Sequence, residues 1–409
     1  MEKADFFREA RSDLTGPLAG LRVLEAATTW AGPFCAALLG DFGADVIKVE
    51  LPGGEVARRL PPFLPGHSKP ISAFNATVNR NKRSLTLDLR RPEGRDVFLR
   101  LAARSDFVVE NFRPGTLAEW GLGYADVRRV RPDVIYVSVT GFGQFGPDHD
   151  RAGYDPIAQA RSGYMSLNGS PDGDPVKSAT WLADDLGGMH AALAALAALA
   201  HRSRTGEGQH IDVALLDALL ATSNANPTLG ATGVPIARFG NEFSFCAPAS
   251  AFRCRDGWIY LGILLDSHWK ALARVIGRPE LADDPEFALT AKRVANRAEA
   301  NRLVSDFCAE RTVADVESLC AAAGLTAGAV RTYAESARDP HVLSRDMLQA
   351  VAQEDGQPAP IVGPAAKLSR TPLRVRSGAP GLGAHSDEIL AEIGIDADAR
   401  AKLRDAGIL

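Results

Sequence analysis

The alternation of strand-like and helix-like segments over the first 140 residues is the feature that most limits how this chain can fold. The runs LRVLEA (residues 21–26), DVIKVE (45–50) and SLTLDL (84–89) alternate with segments of helical character at residues 32–43 and from Pro92 onward. Two further runs, DFVVEN and DVIYVSV, continue the series. Such alternation favours a parallel sheet covered by helices, with ligands bound at the carboxyl ends of the strands. The sequence therefore predicts an α/β protein with a doubly wound, Rossmann-like parallel sheet.

The pattern changes twice further along the chain, which indicates a second, smaller domain. The run MHAALAALAALA (residues 189–200) predicts a close-packed helix, because it is too short and too rich in alanine to span a bilayer. The segment AFRCRDGWIYLGIL predicts a hairpin, and amphipathic helices follow it. We assign residues 1–224 to the first part of a large α/β domain, 225–335 to a smaller α+β domain with its linkers, and 336–409 to a return to the large domain.

Charge and cysteine content narrow the functional classes. The formal net charge is −4, without the basic field that a nucleic-acid-binding protein shows. The five cysteines are scattered without C-x-x-C spacing, which predicts a reducing compartment and no structural zinc. The N-terminal segment MEKADFFREARSDL lacks the apolar core of a secretion signal. We expect a cytoplasmic protein with neither a nucleic-acid nor a membrane partner.

Three glycines, Gly141, Gly143 and Gly146, have the G-x-G-x-x-G spacing of a dinucleotide site directly after a β-branched run. In such a site the glycines open a helix whose N-terminus receives the pyrophosphate. Here Pro147 and a polar, turn-forming run follow, without a helical period. The loop is therefore not predicted to bind a dinucleotide. G-x-S-x-G, H-E-x-x-H and P-loop motifs are also absent from the sequence, which disfavours triad hydrolases, zincins and P-loop NTPases.

Two adjacent carboxylates, Asp184 and Asp185, precede the alanine-rich helix beside Gly187 and Gly188. One interpretation makes such a carboxylate an N-cap that accepts hydrogen bonds from the first helical amides. The other interpretation makes it a nucleophile, because the helix dipole keeps a carboxylate at this position ionised and so able to attack an activated acyl group. Each interpretation can hold for a different aspartate.

Three loops offer further candidates, each with a structural alternative. Asn111 and Arg113, in VENFRPG, are interpreted either as a solvated turn or as a cationic, amide-bearing rim for a phosphorylated ligand. Trp30, in TTWAGPF, is either a packing aromatic or a site residue just before a helix. Tyr154 is either a buried phenol with one hydrogen bond or a site residue.

Seven segments in order resemble the class III CoA-transferase family, from about Pro17 to the C-terminus. They are PLAGLRVLE, AGPFCAALLGDFGADVIKVE, NRNKRSLTLDLRRPEGR, VENFRPGTLAEWGLGY, GYDPIAQARSG, ADDLGGMHAALAALAAL and RTGEGQHIDVALLDA. The resemblance implies open-ring subunits that interlock as a homodimer. It also implies transfer of CoA from an acyl-CoA thioester to a small carboxylic acid, with CoA and acyl-CoA as substrates and no permanently bound cofactor or metal.

The same resemblance assigns roles to individual residues. It places the nucleophile on Asp184, which leaves Asp185 as the helix-capping neighbour. It places Trp30, Tyr154 and Asp155 close to the reacting thioester. The family's CoA contacts correspond to Trp30, Ala31, Leu87, Asp88, Leu89, Arg90, Asn111, Phe112, Arg113, Arg151, Ala152, Gly153 and Tyr154.

Two alternative functions are considered beside CoA transfer. The related α-methylacyl-CoA racemases use a histidine in a G-H-D triplet, which is Gly153-Tyr154-Asp155 here. A tyrosine, with a reference pKa of about 10, is a poor acid–base replacement at neutral pH, so transfer is preferred. The second alternative is a non-catalytic CoA-binding subunit.

The family also suggests succinyl-CoA or another dicarboxylyl-CoA as donor. Arg58, Arg59 and Arg80 are candidates for binding a second carboxylate. The region GNEFSFCAPASAF lacks the glycine-rich lid of formyl-CoA transferase, so formate and oxalate are not expected as substrates.

Overall fold

The structure is a computed structural model that describes all 409 residues, and the chain divides into two compact units. The larger unit is formed by Met1–Met165, Lys177–Thr228 and His341–Leu409, and the smaller by Ser166–Val176 and Leu229–Pro340. Residues 166–176 were predicted to belong to the large domain and lie in the smaller unit instead. In the structure the Arg238 guanidinium, from the smaller unit, donates to the backbone carbonyls of this segment, at 3.1 Å to Ser166 and 2.9 Å to Asp174. Because Arg238 is distant in the sequence, no local pattern predicts these hydrogen bonds.

A six-stranded parallel sheet lies at the centre of the larger unit. Its strands are β1 (Arg22–Ala26), β2 (Asp45–Glu50), β3 (Lys82–Thr86), β4 (Phe107–Glu110), β5 (Ile135–Thr140) and β6 (Gln209–Ala214). They are ordered β3-β2-β1-β4-β5-β6 with every neighbouring pair parallel. The predicted α/β class is confirmed. The order reverses between β1 and β4, and doubly wound sheets bind ligands in the crevice at this switch point.

Helices and short strands complete the fold. The remaining strands are β7 (Ala249–Arg253), β8 (Trp258–Gly262), β9 (Ala327–Ala329), β10 (Leu348–Ala352) and β11 (Pro358–Val362). The helices are α1 (Lys3–Phe6), α2 (Ala31–Asp41), α3 (Ala73–Val78), α4 (Pro92–Ala102), α5 (Thr116–Glu119), α6 (Tyr124–Val130), α7 (Asp155–Arg161), α8 (Tyr164–Leu167), α9 (Leu182–Thr205), α10 (Leu215–Ala221), α11 (Asn226–Ala231), α12 (Asp266–Val275), α13 (Thr290–Ala295), α14 (Arg297–Ala309), α15 (Val313–Ala322), α16 (Tyr333–Ser336), α17 (Pro340–Ser344), α18 (Ser386–Glu392) and α19 (Ala397–Asp405). Two 3₁₀ helices span Val56–Arg59 and Pro279–Ala282.

Two apolar clusters bury the two faces of the parallel sheet. Leu24 and Ile47 belong to one cluster, together with side chains of α4 and α18. Their neighbours Val23 and Val46 belong to the other, together with side chains of α2 and α9. Successive side chains of a strand point to opposite faces, and a sheet covered on both faces needs nearly continuous apolar strands. This requirement explains the β-branched runs of the sequence.

Helix α9 is twice as long as the alanine-rich run that predicted it. Its small buried residues pack against α2 so closely that a Cβ on Gly188 would lie 2.7 Å from the carbonyl oxygen of Ala31. By length and composition alone α9 would suffice to cross a membrane. Its alanine face, however, is buried in the core beside the sheet, as in the core helices of many proteins that meet the same criteria.

The smaller unit is an α+β arrangement with its own core. Strands β7, β8 and β9 form an antiparallel sheet, and β7 and β8 are the two arms of the predicted hairpin. Trp269 of α12 is fully buried in this core, and its Nε1 donates to the carbonyl oxygen of Leu281 at 2.8 Å.

Candidate active site

A cavity of about 270 Å³ lies in the larger unit at the carboxyl ends of β1, β4 and β5. The loops that follow these three strands line it, together with the beginnings of α9 and α10. Its location is the switch point at which doubly wound sheets bind their ligands. The lining residues are Thr28, Thr29, Trp30, Ala31, Asn111, Phe112, Arg113, Pro114, Val139, Thr140, Gly141, Arg151, Ala152, Gly153, Tyr154, Asp184 and Leu215.

Asp184 is the acidic residue that lines the cavity, in the first turn of α9. Burial, together with the smaller effect of the nearby carboxylates Asp155 and Asp185, raises the pKa of its carboxyl to about 7. The expectation that the helix dipole keeps this group firmly ionised is therefore wrong, because burial and like charges outweigh the dipole. Asp184 titrates near neutral pH, which suits a group that must lose a proton before it attacks.

The neighbouring Asp185 has a different environment. Its Oδ1 accepts a hydrogen bond from Nε1 of Trp30 at 2.7 Å. Burial raises the pKa of the Asp185 carboxyl, and the bond from Trp30 opposes that rise. The prediction that Asp185 caps the helix is wrong, since Asp155 does so by accepting from the Ala183 amide at 2.7 Å.

The loop after β1 is tied to the loop after β4 by a side-chain amide. Asn111 accepts from the Thr28 amide through Oδ1 and donates to the Thr28 carbonyl through Nδ2, both at 2.8 Å. Asn111 therefore connects two walls of the cavity. Arg113 and Arg151 add two guanidinium groups to the lining. Arg113 donates to the Asp150 carbonyl at 2.8 Å, and Arg151 pairs with Asp148 at 3.0 Å but stays exposed, unlike a buried ion pair.

The glycine loop after β5 closes another side of the cavity. No helix begins at its third glycine, because α7 starts only at Asp155. A Cβ on Gly141 would lie 2.6 Å from the Cα of Gly153, so these two backbones touch and only glycine fits. Tyr154, next in the chain, is 62% exposed. The alternative of a buried phenol is therefore wrong.

The segment Leu87, Asp88, Leu89 and Arg90 does not line the cavity. Leu87 and Leu89 are buried in the apolar cluster that contains Leu24, whereas Arg90 is exposed and pairs with Asp88 at 2.7 Å. Contact with CoA here stays a prediction, and it would involve Arg90, Asp88 or the backbone.

The three arginines considered for a second carboxylate also lie outside the cavity lining. Arg58 pairs with Glu50 and Arg80 with Asp41, each at 2.6 Å. These two guanidinium groups are therefore occupied within the protein, and only Arg59 is exposed.

A buried charge network beneath the loop after β1 was not predicted from the sequence. Glu25 and Lys48 lie on neighbouring strands with fully buried side chains 2.8 Å apart, and Lys48 also pairs with Glu55 at 2.9 Å. The available signal was a charged residue inside each of two otherwise apolar strands. Such residues are rarely buried unless they are paired.

The chemistry available here follows from these contacts. A carboxyl that titrates near neutral pH faces a cavity with two guanidinium groups in its lining. Guanidinium groups suit phosphate recognition, and a partly desolvated carboxylate suits attack on an acyl group.

Several known proteins are similar to this chain in sequence and in fold. The chain matches the family described as CoA-transferase family III over residues 18–386. It is 40% identical over 385 residues to a succinate–glutarate CoA-transferase of Agrobacterium fabrum, covering 92% of this chain and 96% of the relative. It is 41% identical to the succinyl-CoA–L-malate CoA-transferase beta subunit of Chloroflexus aurantiacus, covering 93% and 94%. The crystal structure of a CAIB/BAIF family protein from Brucella suis superposes with a TM-score of 0.84 at 37% identity, covering 93% of this chain and 100% of that one.

Proposed function

Because this chain belongs to CoA-transferase family III and is a CoA-transferase, we propose that it moves CoA from succinyl-CoA to a small carboxylic acid through Asp184. The donor follows from the relatives, which are named for succinate–glutarate and for succinyl-CoA–L-malate transfer. The position of Asp184 carries the proposal, since its carboxyl lines the cavity and titrates near neutral pH.

The reaction exchanges one thioester for another in four steps. The Asp184 carboxylate attacks the thioester carbonyl carbon, the carbon–sulfur bond breaks, and CoA thiolate leaves an acyl–aspartyl anhydride. The thiolate attacks the aspartyl carbonyl of that anhydride, which releases the donor acid and forms an aspartyl-CoA thioester. The acceptor carboxylate then attacks this thioester and again releases the thiolate. Finally the thiolate takes the acceptor acyl group from the second anhydride and regenerates Asp184. No ATP is required, because the thioesters are of similar energy.

The residues around Asp184 support this sequence. A desolvated carboxylate is a stronger nucleophile than a hydrated one, provided that it is deprotonated. Each attack places negative charge on a carbonyl oxygen, which amide donors stabilise. Gly187 and Gly188 lie beyond the first turn of α9, where the helix uses its own amides, so the loop after β5 is the better source of donors.

The guanidinium groups of Arg113 and Arg151 are proposed to bind CoA phosphates at the cavity. We also propose that two chains associate as an interlocked homodimer, which the family resemblance implies. Trp30, Tyr154 and Asp155 are proposed as residues near the reacting thioester, with Asp155 acting through the start of α9, where it accepts from Ala183.

The proposed nucleophile is tested by trapping. The purified protein is incubated with succinyl-CoA and hydroxylamine, and its peptides are examined by mass spectrometry. A hydroxamate on Asp184 is expected, and it should be absent from Asp184→Asn but present in Asp185→Asn. A hydroxamate on another carboxylate would contradict the assignment.

Two further measurements separate this proposal from its alternatives. Transfer by the purified chain alone, screened with a panel of carboxylic acids, would exclude a non-catalytic subunit and identify the acceptor. Incubating a 2-methylacyl-CoA in deuterated water should leave its α-proton unexchanged. Rapid exchange would favour the racemase alternative.

A further inference from the structure

Thr29, in the loop between β1 and α2, has an unusual backbone conformation. Its φ is 68°, and it is the only β-branched residue of the chain in the left-handed region. That region is disfavoured for β-branched side chains, and such strain persists only where the surroundings impose it. Because Thr29 immediately precedes Trp30, its conformation sets the direction in which the Trp30 side chain leaves the loop.

Side chains from outside the loop hold the three residues that precede Trp30. The Thr29 amide donates to Oε2 of Glu55 at 2.6 Å. The Ala27 carbonyl accepts from Nζ of Lys48 at 2.9 Å, and Asn111 holds Thr28 on both sides. Each of these three residues is therefore hydrogen-bonded to a specific side chain, and Glu55 is the partner of Thr29, the strained residue.

Glu55 is held in turn by a buried network. Its Oε1 accepts from Nδ2 of Asn79 at 3.0 Å and pairs with Nζ of Lys48 at 2.9 Å. Lys48 and Lys82 both pair with Glu25, at 2.8 and 2.6 Å, so two lysines balance two glutamates. A balanced and hydrogen-bonded buried network is rigid, since removing one member leaves a charge without its counterion.

The same network reaches the aromatic residues around Trp30. Asn79 follows α3, which carries Phe74. The Phe74 ring packs edge-on against Trp30 at 5.8 Å and stacks on Trp181 at 4.6 Å between centroids. Trp30 donates to Asp185 at 2.7 Å, directly beside Asp184. Glu55 thus connects the backbone that carries Trp30 with the helix that supports its ring.

We propose that Glu55 is a positioning residue for the transfer reaction. By holding Thr29 in the left-handed conformation it sets the Trp30 indole against Asp185, so that Asp184 remains the carboxylate at the cavity. This inference rests on the proposed function in taking Asp184 as the nucleophile. Glu55 does not line the cavity and acts only through the loop.

The test replaces Glu55 with glutamine. Both carboxylate oxygens of Glu55 accept hydrogen bonds. In Glu55→Gln an amide nitrogen replaces one of these oxygens, so one donor loses its acceptor. We expect kcat to fall on the order of 10- to 100-fold, as for a small misplacement of reacting groups, with a nearly unchanged KM for succinyl-CoA. The matched control is Asp41→Asn, which disrupts the buried pair with Arg80 outside the cavity. This control should lower stability and leave kcat unchanged.

A second substitution separates positioning from general destabilisation. Glycine adopts the left-handed conformation without steric cost, so Thr29→Gly should restore part of the kcat lost in Glu55→Gln. It should not restore activity to a variant that is merely unstable. Failure of this rescue, or an unchanged kcat in Glu55→Gln, would overturn the proposal.

A spectroscopic measurement tests the positioning independently of activity. The protein is labelled with 5-fluorotryptophan, and Trp30→Phe assigns the Trp30 fluorine resonance. Glu55→Gln should shift that resonance and Asp41→Asn should not. The role of Asp184 is tested separately, by the trapping experiment on the unmodified chain. If Glu55→Gln does not fold, Asn79→Ala removes one donor to Glu55 and should shift the same resonance. A resonance that stays in place in the folded variants would refute the proposal.

Discussion

Replacing Asp184 with asparagine should stabilise the protein at neutral and alkaline pH while abolishing transfer. The substitution keeps the size of the side chain but removes a charge that is costly to bury. The pKa of Asp184 is raised from 3.8 to about 7, so the folded state holds this proton more tightly than the unfolded state does. Asp184 therefore lowers the stability of the wild type as the pH rises from about 4 to about 7, and the variant lacks this contribution.

The size of the effect follows from the shift. About three pH units at 1.36 kcal/mol each give about 4 kcal/mol as an upper value. An unfolding entropy of roughly 2.1 cal/mol/K per residue over this length gives about 0.9 kcal/mol/K, so the melting temperature should rise by up to about 5 °C at pH 8. The gap should narrow steadily below pH 7 and vanish near pH 4.

The assay is thermal unfolding followed by circular dichroism across this pH range. The matched control is Asp96→Asn, an exposed aspartate in α4, which should leave the melting temperature unchanged at every pH. Equal melting temperatures for wild type and Asp184→Asn at pH 8 would refute the reasoning. So would a gap that keeps its size down to pH 4, because such a gap could not come from titration of Asp184.

Three other substitutions test the site. The initial rate of transfer should rise with pH up to about 7, the value to which the pKa of Asp184 is raised, and level off above it. Asp185→Asn removes a neighbouring negative charge and should move this rise to lower pH. An unmoved profile would contradict the electrostatic effect of Asp185 on Asp184. Arg113→Ala should raise the KM for succinyl-CoA roughly 10- to 100-fold, the usual value of a charged hydrogen bond, with little change in kcat, and steady-state kinetics that show an unchanged KM would remove Arg113 from the CoA site. Gly141→Ala places a Cβ 2.6 Å from Gly153, so kcat should fall on the order of 100-fold in a protein that still folds by circular dichroism, and wild-type kcat would show that the glycine loop does not shape the site.

The sheet was predictable because its strands are buried on both faces and therefore read as apolar runs. The predicted strand at residues 45–50 coincides with β2. The predicted strand at residues 84–89 is displaced, since β3 spans Lys82–Thr86. Leu87 and Leu89 extend the apolar pattern beyond the last residue paired with β2, because they fill the cluster shared with α18. An apolar pattern indicates which residues are buried, and here the buried residues continue beyond the end of the strand pairing.

The site was predictable only in part. The resemblance supplied Asp184 and most of the residues that line the cavity. The raised pKa of Asp184 comes first from burial and then from Asp155, which lies 29 positions earlier in the sequence. No local pattern indicates either the burial or that proximity. The wrong assignment of the capping role to Asp185 instead of Asp155 has the same cause. Both can cap a helix by residue type, and only the fold decides which one reaches the Ala183 amide.

The larger unit is assembled from the two ends of the chain, which has a consequence for synthesis on the ribosome. Leu85, Leu87 and Leu89 share one apolar cluster with Ile389, Leu390 and Ile408. At roughly 5–20 residues per second, the second group is made about 15 to 60 seconds after the first. During that interval a nascent chain carries uncovered leucines beside unfinished strands. A message truncated before codon 386 would yield a polypeptide that retains the cavity residues. Without the second group to cover its leucines, that polypeptide should aggregate or stay bound to chaperones instead of accumulating as enzyme.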